Sequence, residues 1–253
     1  MLALTDIESA LHRLYIAAPQ AALRKEDRKK ARELCGMLVE IDRIVKATRP
    51  KRPFRLVDAA AGKAYVGLLA AELVLAKKAR SAHVTLIERE RRRAAACQEA
   101  SALVRAPGMD IEVLAADVAD PAAWPREPDL VVALHACGPA ADVIVQRAVA
   151  VRARHLLLVP CCTSESVIAA ARAVRRAESL GLPPHAEVRR RFIQAMVDAE
   201  RTLTLEAAGY ETTVVPFVPP TVTPHNLLWR ARRMGEARRM TTAATRLARF
   251  LAT

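Results

Sequence analysis

Aromatic residues are scarce in this chain of 253 residues, since phenylalanine, tyrosine and tryptophan together make up 4% of it. We accordingly find no stripe of interleaved aromatic and basic residues, the pattern with which many proteins stack single-stranded bases. The chain also lacks any stretch of about 18 uncharged apolar residues, and its first residues are not a basic segment followed by an apolar core. We therefore expect neither secretion nor contact with a membrane.

The five cysteines lack the Cys-x-x-Cys spacing of structural zinc sites, so we expect no metal centre. Their number is odd, and the adjacent Cys161 and Cys162 are poorly placed to bridge one another. Reduced thiols in a cytoplasm are the simplest explanation of this pattern.

Acidic residues are outnumbered, because 27 aspartates and glutamates face 40 lysines and arginines, and the formal net charge is +13. One interpretation is an Arg-rich surface that binds RNA, since each neutralised phosphate releases counterions. The other is compositional, since a GC-rich genome encodes chains rich in arginine and alanine with no nucleic acid involved. No pattern indicates an oligomeric state. The basic residues concentrate at Arg24-Lys25, Arg28–Lys30, 46–55, Arg189–Arg191 and Arg230–Arg239.

Short apolar runs alternate with helical stretches over the central part of the chain. Continuously apolar runs are typical of parallel strands that are buried on both faces. Strands alternating with helices predict right-handed crossovers and a parallel sheet covered by helices on both sides. The five predicted strands are Phe54–Val57, Ala82–Glu88, Asp110–Ala115, Asp129–Leu134 and His155–Val159.

The C-terminal third departs from this alternation. A charged helix reaches Ala208, and two strand-like runs, Glu211–Val218 and Asn226–Arg232, follow without a helix between them. We expect an antiparallel hairpin that completes an α/β fold with a seven-stranded Rossmann-like sheet. This hairpin argues against a nicotinamide-binding reductase, whose last strand is parallel.

The two ends of the chain are predicted to be helical. Apolar residues recur at helical spacing in Glu26–Ala47, after a first helix at Asp6–Tyr15, and Met234–Ala252 should form a basic helix. We divide the chain into a helical N-terminal extension, residues 1–50, and a catalytic domain, residues 51–253.

The first predicted strand leads into a turn of small residues that opens a helix. Such a corner presents free backbone N–H groups and the helix dipole to a polar ligand. The spacing from Asp58 resembles D-x-G-x-G-x-G, the first motif of class I S-adenosylmethionine (SAM) methyltransferases, with Ala60 and Ala64 in place of two glycines. The alternative is an ordinary strand-to-helix turn in which Gly62 supplies a positive φ.

Acids follow the next two strands. Glu88 suits a ribose, whose two vicinal hydroxyls can both donate to one carboxylate. Its alternative is a solvated charge, because it begins the charged run Glu88–Arg93. After the third strand, Asp117 stands where this fold binds the exocyclic amine of adenine.

Four ordered motifs make the family recognisable. They are Asp58-x-x-x-Gly62-Lys63-x-Tyr65, Leu134-His135-Ala136-Cys137-Gly138, Pro160-Cys161-Cys162 and Thr223-Pro224-His225-Asn226. Together they resemble a branch of SAM-dependent methyltransferases that includes a eukaryotic tRNA ribose methylase, over about Arg52 to Arg232. The N-terminal Cys/His zinc module of that methylase is not found, so its particular substrate is not carried over.

The resemblance implies SAM as cofactor and a set of residues for each role. The implied cofactor-binding residues are Asp58, Ala60, Gly62, Lys63, Tyr65, Glu88, Asp117 and His135. The implied substrate side and catalytic candidates are His135, Cys137, Pro160, Cys161 and Cys162. His225 and Asn226 could contact substrate from the hairpin connection, although a turn with an Asn cap explains them equally well.

The chemistry of the His and Cys candidates stays open. We expect the fourth and fifth strands to be neighbours of the first, which would bring these side chains beside the transferable methyl group. One alternative is a thiolate that activates a pyrimidine C5, and another is His135 as general base for a hydroxyl. A third is a bound metal, and the fourth is that the cysteines are small buried hydrophobes.

These patterns favour a SAM-dependent methyltransferase that acts on RNA or a ribonucleoprotein. The alternatives are an inactive methyltransferase fold that binds RNA or protein, and a methyltransferase of small molecules or proteins. Methylation of adenine or glutamine amino groups is disfavoured, because those enzymes commonly carry an Asn/Asp-Pro-Pro-aromatic turn after the fourth strand. This chain has His135-Ala-Cys-Gly138 there.

Overall fold

The computed structural model describes residues 2–16, 22–48, 51–78, 80–160, 166–219 and 226–252. Seven strands in these ranges form one sheet in the order β3-β2-β1-β4-β5-β7-β6. The first five are parallel, and β7 is antiparallel to both of its neighbours. The strands are β1 Phe54–Ala59, β2 Ala82–Ile87, β3 Met109–Leu114, β4 Leu130–Ala136, β5 His155–Pro160, β6 Tyr210–Pro216 and β7 Leu227–Arg233.

The predicted seven-stranded sheet and its antiparallel hairpin are confirmed. One detail is wrong: β4 pairs with β1, but β5 pairs with β4 on its far side and is not a neighbour of β1. The inner strand β1 is buried on both faces, so that Leu56 packs in one core and Val57 in the other. This alternation follows from the two-residue period of a strand, and it explains the continuously apolar sequence.

Eight α-helices are described around the sheet. They are α1 Leu4–Tyr15, α2 Lys25–Ala47, α3 Tyr65–Ala70, α4 Arg91–Ser101, α5 Pro139–Ala150, α6 Ile168–Ser179, α7 Ala186–Ala207 and α8 Ala237–Ala252. Helix α3 continues without interruption into one π-helical turn, Ala71–Leu75. No helix among the described residues combines the length and apolarity that crossing a membrane requires.

The N-terminal helices share a core with the sheet. The stripe on α2 predicted from helical spacing is buried, and Leu34, Leu38 and Ile41 pack in the same cluster as Leu56 of β1. Helix α1 contributes Ile7 and Leu14 to this cluster. This shared core fixes α2 relative to the sheet. The other residues of α2 therefore have fixed positions relative to the carboxyl ends of the strands.

Candidate functional site

The turn after β1 has the backbone geometry of a glycine-rich loop. Ala60, Gly62 and Ala64 have φ angles of 57°, 62° and 56°. The amide of Ala61 donates to the carbonyl of Ile87 at 2.9 Å, which fixes the turn against the end of β2. Gly62 thus has the positive φ that an ordinary strand-to-helix turn would also require, and the two alanines likewise have positive φ at a cost of about 1–2 kcal/mol each.

Asp58 supports this turn from below. It is 2% exposed, and its Oδ2 accepts the amide N–H of Gly67, in the first turn of α3, at 2.8 Å. Burial raises the pKa of the Asp58 carboxyl to about 7, the hydrogen bond from Gly67 opposes the rise, and the nearby Glu88 adds to it. Asp58 thus joins the strand to the helix that the motif opens.

Glu88 faces the same turn from β2. It is 5% exposed, so it is not a solvated charge. Its Oε2 accepts the amide of Gly62 at 2.8 Å and its Oε1 accepts the amide of Glu90 at 2.9 Å. A carboxylate has about four acceptor positions, and these two bonds leave room on each oxygen for a further donor. Two vicinal ribose hydroxyls would supply such donors.

Helix α1 reaches over the loop. The hydroxyl of Tyr15 donates to the carbonyl of Lys63 at 2.8 Å, and its ring packs edge-on against Tyr65 with 4.4 Å between centroids. From α4, the thiol of Cys97 donates to the carbonyl of Gly62 at 3.3 Å. Both loop carbonyls are thus held by side chains, and Tyr15 is a residue that the sequence patterns did not single out.

Asp117 lies beyond the end of β3 at the same edge of the sheet. The backbone of Glu88 pairs with Leu114 and Ala116, which aligns the ends of β2 and β3. Asp117 is exposed, and its Oδ1 accepts the amide of Ala119 at 2.8 Å. Asp58, Glu88 and Asp117 thus lie at or just beyond the carboxyl ends of β1, β2 and β3, on one edge of the sheet.

His135 lies near the end of β4, at an irregularity in the pairing with β5. The register shifts between Leu134 and Ala136, and His135 has a φ of 63°. Its Nε2 lies 3.0 Å from Oε2 of Glu33, which α2 supplies. Lys30 donates to the same oxygen at 2.8 Å. A buried carboxylate therefore contacts the strongest catalytic candidate.

Glu33 is ionised in this arrangement. Burial raises the pKa of its carboxyl, but hydrogen bonds from His135 and Lys30 and their charges outweigh burial, so the pKa lies below its ordinary value. The sequence patterns give no role to Glu33, because they predict only a helix with an apolar stripe over Glu26–Ala47. The available signal was an acid placed directly before Leu34, inside a stripe that is otherwise apolar.

Cys137 is disulfide-bonded, whereas Cys35 and Cys97 are free. The expectation of reduced thiols is therefore wrong for Cys137, whose Sγ lies 3.3 Å from the carbonyl oxygen of His135 without a proton to donate. A nucleophilic role for this sulfur requires prior reduction. Among the described residues, no group of three or more His, Cys, Asp and Glu side chains could hold a metal ion.

The remaining candidates lie around the same edge or outside the described residues. Pro160 is buried at the end of β5 and pairs with Ala136. The side-chain amide of Asn226 donates to the carbonyl of Val218, which suits its structural alternative in the hairpin. Three candidates, Cys161, Cys162 and His225, fall outside the described residues.

Comparison with solved structures identifies the fold. The chain superposes on magnesium protoporphyrin IX methyltransferase from Synechocystis PCC 6803 with bound SAH, with a TM-score of 0.55 and 14% identity over 89% of this chain and 93% of that one. The same enzyme with bound SAM gives a TM-score of 0.54 and 12% identity over 89% and 90%. The CMeT domain of the citrinin polyketide synthase gives 0.53 and 12%, over 83% and 54%.

These similarities agree on the fold, and the two Synechocystis structures hold SAH and SAM respectively. No curated protein matches the sequence. A family model described as "Methyltransferase domain" matches residues 29–167, more than half of the chain. This segment contains Glu33, the turn after β1, Glu88 and His135. The chain belongs to the methyltransferase-domain family.

Proposed function

We propose that this chain is a SAM-dependent methyltransferase whose acceptor is a hydroxyl or a ring atom of RNA or of a ribonucleoprotein. The observation that carries the RNA part of this proposal is a basic stripe on α2, next to the residue that contacts His135. The cofactor part is supported by the geometry of the turn after β1.

The residues at the turn fit SAM. Glu88 has acceptor capacity for the ribose hydroxyls, and the exposed Asp117 at the same edge of the sheet would accept the adenine amine. The left-handed backbone at Ala60, Gly62 and Ala64 turns the loop tightly between β1 and α3. When bound, SAM supplies an electrophilic methyl group on a sulfonium sulfur.

The basic stripe consists of Lys25, Arg28, Lys29 and Arg32. These positions are spaced i, i+3, i+4 and i+7, so their side chains share one face of α2, and all four are exposed. None of them forms an ion pair with a described residue, whereas Lys30 on the inner side is paired with Glu33. Lys29 lies one helical turn before Glu33, so a phosphate bound to the stripe would lie close to His135.

This arrangement gives His135 a defined task. A neutral imidazole near an acceptor hydroxyl can take the proton that the acceptor loses as it is methylated. The basic stripe would hold the phosphate backbone, which positions the acceptor but does not select its sequence.

The proposal is tested by measuring the affinity for bulk tRNA between about 50 and 200 mM salt. Each phosphate contact contributes about 0.7 to 0.9 to the slope of log affinity against log salt. Replacing Lys25, Arg28, Lys29 and Arg32 by glutamine should flatten this slope and weaken binding. The matched control replaces Arg238, Arg239, Arg246 and Arg249 of α8, which packs against α7, and should change the slope less.

Two outcomes would contradict the proposal in different ways. RNA binding that is undetectable or insensitive to salt would point to a small-molecule or protein acceptor. Calorimetry that detects no SAM or SAH binding at millimolar concentration would remove the enzymatic part. The chain would then be a binding module built on a methyltransferase fold.

A further inference from the structure

We propose that Tyr15 is a positioning residue for the cofactor, because its hydroxyl holds the turn after β1 in the conformation that binds SAM. This inference rests on the cofactor part of the proposed function, and it adds a residue of the N-terminal extension to the site. It also makes a statement about the turn in the protein without SAM, so that its failure can be told apart from failure of the proposed function.

Three consecutive peptide groups of the turn are each held from a different element. The amide of Gly62 donates to Oε2 of Glu88, just beyond β2, at 2.8 Å. The carbonyl of Gly62 accepts the thiol of Cys97, on α4, at 3.3 Å. The carbonyl of Lys63 accepts the hydroxyl of Tyr15, the last residue of α1, at 2.8 Å. Helix α1 thus provides one of these three contacts with the backbone of the turn.

The contact of Tyr15 acts on the peptide group that sets the conformation of Ala64. This peptide group joins Lys63 to Ala64, and its N–H donates to the carbonyl of Ala61 at 2.7 Å. Ala64 has a φ of 56°, which costs free energy in a residue with a Cβ. A strained conformation persists only where its surroundings hold it in place. Tyr15 therefore stabilises a left-handed conformation that a glycine would adopt without this cost.

Helix α1 is itself fixed against the helix that the turn opens. Its Ile7 and Leu14 are buried in the same core as the apolar residues of α3. Arg13 pairs with Glu72, which lies in the π-helical turn that continues α3. Such π-helical turns are rare within α-helices and are often found at functional sites. Packing and this ion pair therefore set the position of the Tyr15 hydroxyl over the turn.

The shape of the turn determines the affinity for SAM. Glu88 would accept the ribose hydroxyls while it also holds the amide of Gly62, so the carboxylate and the turn are positioned together. If the turn has its binding conformation for only a fraction of the time, the apparent affinity is reduced in proportion to that fraction. Loss of the Tyr15 hydroxyl lowers this fraction, because one hydrogen bond fewer then opposes the strain at Ala60 and Ala64.

The test compares Tyr15→Phe with the unmodified protein by calorimetry with SAH. The variant keeps the ring that packs against Tyr65 and loses only the hydroxyl. Its affinity for SAH should fall by about 2- to 10-fold, the usual effect of one lost hydrogen bond. Tyr210→Phe is the matched control and should leave the affinity unchanged. The Tyr210 hydroxyl also donates to backbone carbonyls, those of Ala148 and Ala153, but from β6 at the edge of the sheet.

Amide hydrogen exchange without cofactor provides the second measurement. The amide of Ala64 should exchange faster by a similar factor in Tyr15→Phe and at an unchanged rate in Tyr210→Phe, because its exchange reports local opening of the turn. A double variant adds a third readout. Since Ala64→Gly relieves the strain, Tyr15→Phe should cause a smaller loss of SAH affinity when the two changes are combined.

Equal losses of SAH affinity in Tyr15→Phe and Tyr210→Phe would overturn the inference, since the contact would then matter only for general stability. Unchanged exchange at Ala64 in Tyr15→Phe would overturn it as well. If the unmodified chain binds no SAH, the proposed function fails and the inference with it. SAH binding that Tyr15→Phe leaves unchanged overturns the inference alone.

Discussion

At the scale of single residues, the two alanines of the turn after β1 are a clear case of strain. Replacing Ala60 by glycine should stabilise the protein by about 1 kcal/mol, because the left-handed penalty disappears. Replacing Ala64 should help less, since its methyl is fully buried and removing it forfeits about 0.8 kcal/mol of burial. Chemical denaturation of both variants measures the difference. A larger gain from Ala64→Gly would contradict this account.

The site residues also show which contacts a local sequence pattern can predict and which it cannot. The spacing from Asp58 predicted the turn, because the motif lies within ten residues and its geometry is local. The contact between Glu33 and His135 joins residues 102 positions apart, and no spacing rule predicts it. The resemblance places Asp58 among the cofactor residues. The structure shows in addition that its Oδ2 accepts the amide N–H of Gly67, a contact that depends on the fold of the turn and that the motif does not specify.

At the scale of elements, two helical glycines differ in how well the structure should tolerate their replacement by alanine. A Cβ at Gly67 of α3 would lie 2.4 Å from Cδ2 of the fully buried Leu86 and 3.2 Å from Asp58, so Gly67→Ala should destabilise the protein by about 1–3 kcal/mol. At Gly36 of α2, a Cβ meets the edge of the Phe217 ring at 3.1 Å. This partly buried ring can shift, and alanine favours the helix.

Denaturation curves of the two alanine variants provide the measurement, with Gly36→Ala as the control for the added methyl group. We expect Gly36→Ala to be close to neutral. Equal loss of stability in both variants would show that the crowding at Leu86 is not what distinguishes α3 from α2.

The strand bounds are predictable to within one or two residues, and for β1, β2, β4 and β5 the reason is that parallel strands buried on both faces are continuously apolar. The prediction for β4 ended at Leu134, whereas the strand continues to Ala136. The apolar run in the sequence ends before the polar His135, so the sequence pattern does not show that β4 continues to Ala136. The irregular pairing at His135 depends on β5 and on α2, which contact it from distant parts of the chain.

At the scale of the whole molecule, one buried group and one half-buried group couple stability to pH in opposite directions. Burial raises the pKa of Asp58 to about 7, so its folded form binds a proton that the unfolded chain releases. This contribution to stability is complete below pH 4 and is lost as the pH rises to about 7. Asp58→Asn should therefore raise the melting temperature by an amount that grows from pH 4 to pH 7.

His155 gives stability the opposite dependence on pH to that of Asp58. Burial lowers its pKa to about 4, and Arg154 and Arg232 contribute to the lowering. Its contribution to stability is present above pH 6.5 and is lost as the pH falls towards 4. The stabilisation by His155→Gln should consequently grow as the pH falls. The measurement is a set of thermal melts of both variants and of the unmodified protein between pH 4 and pH 7. If the change in melting temperature varied with pH in the same direction in both variants, the pKa shifts assigned to Asp58 and His155 would be contradicted.

The placement of β7 also has a consequence for biosynthesis. Strand β7, residues 227–233, is made after β6 but lies between β5 and β6 in the sheet. While the ribosome extends the chain through residues 161–226, the apolar strand β5 therefore has an unpaired edge on the nascent protein. Such an edge can pair with other chains. Translation that stalls before residue 227 would leave a nascent chain whose exposed β5 edge requires a chaperone.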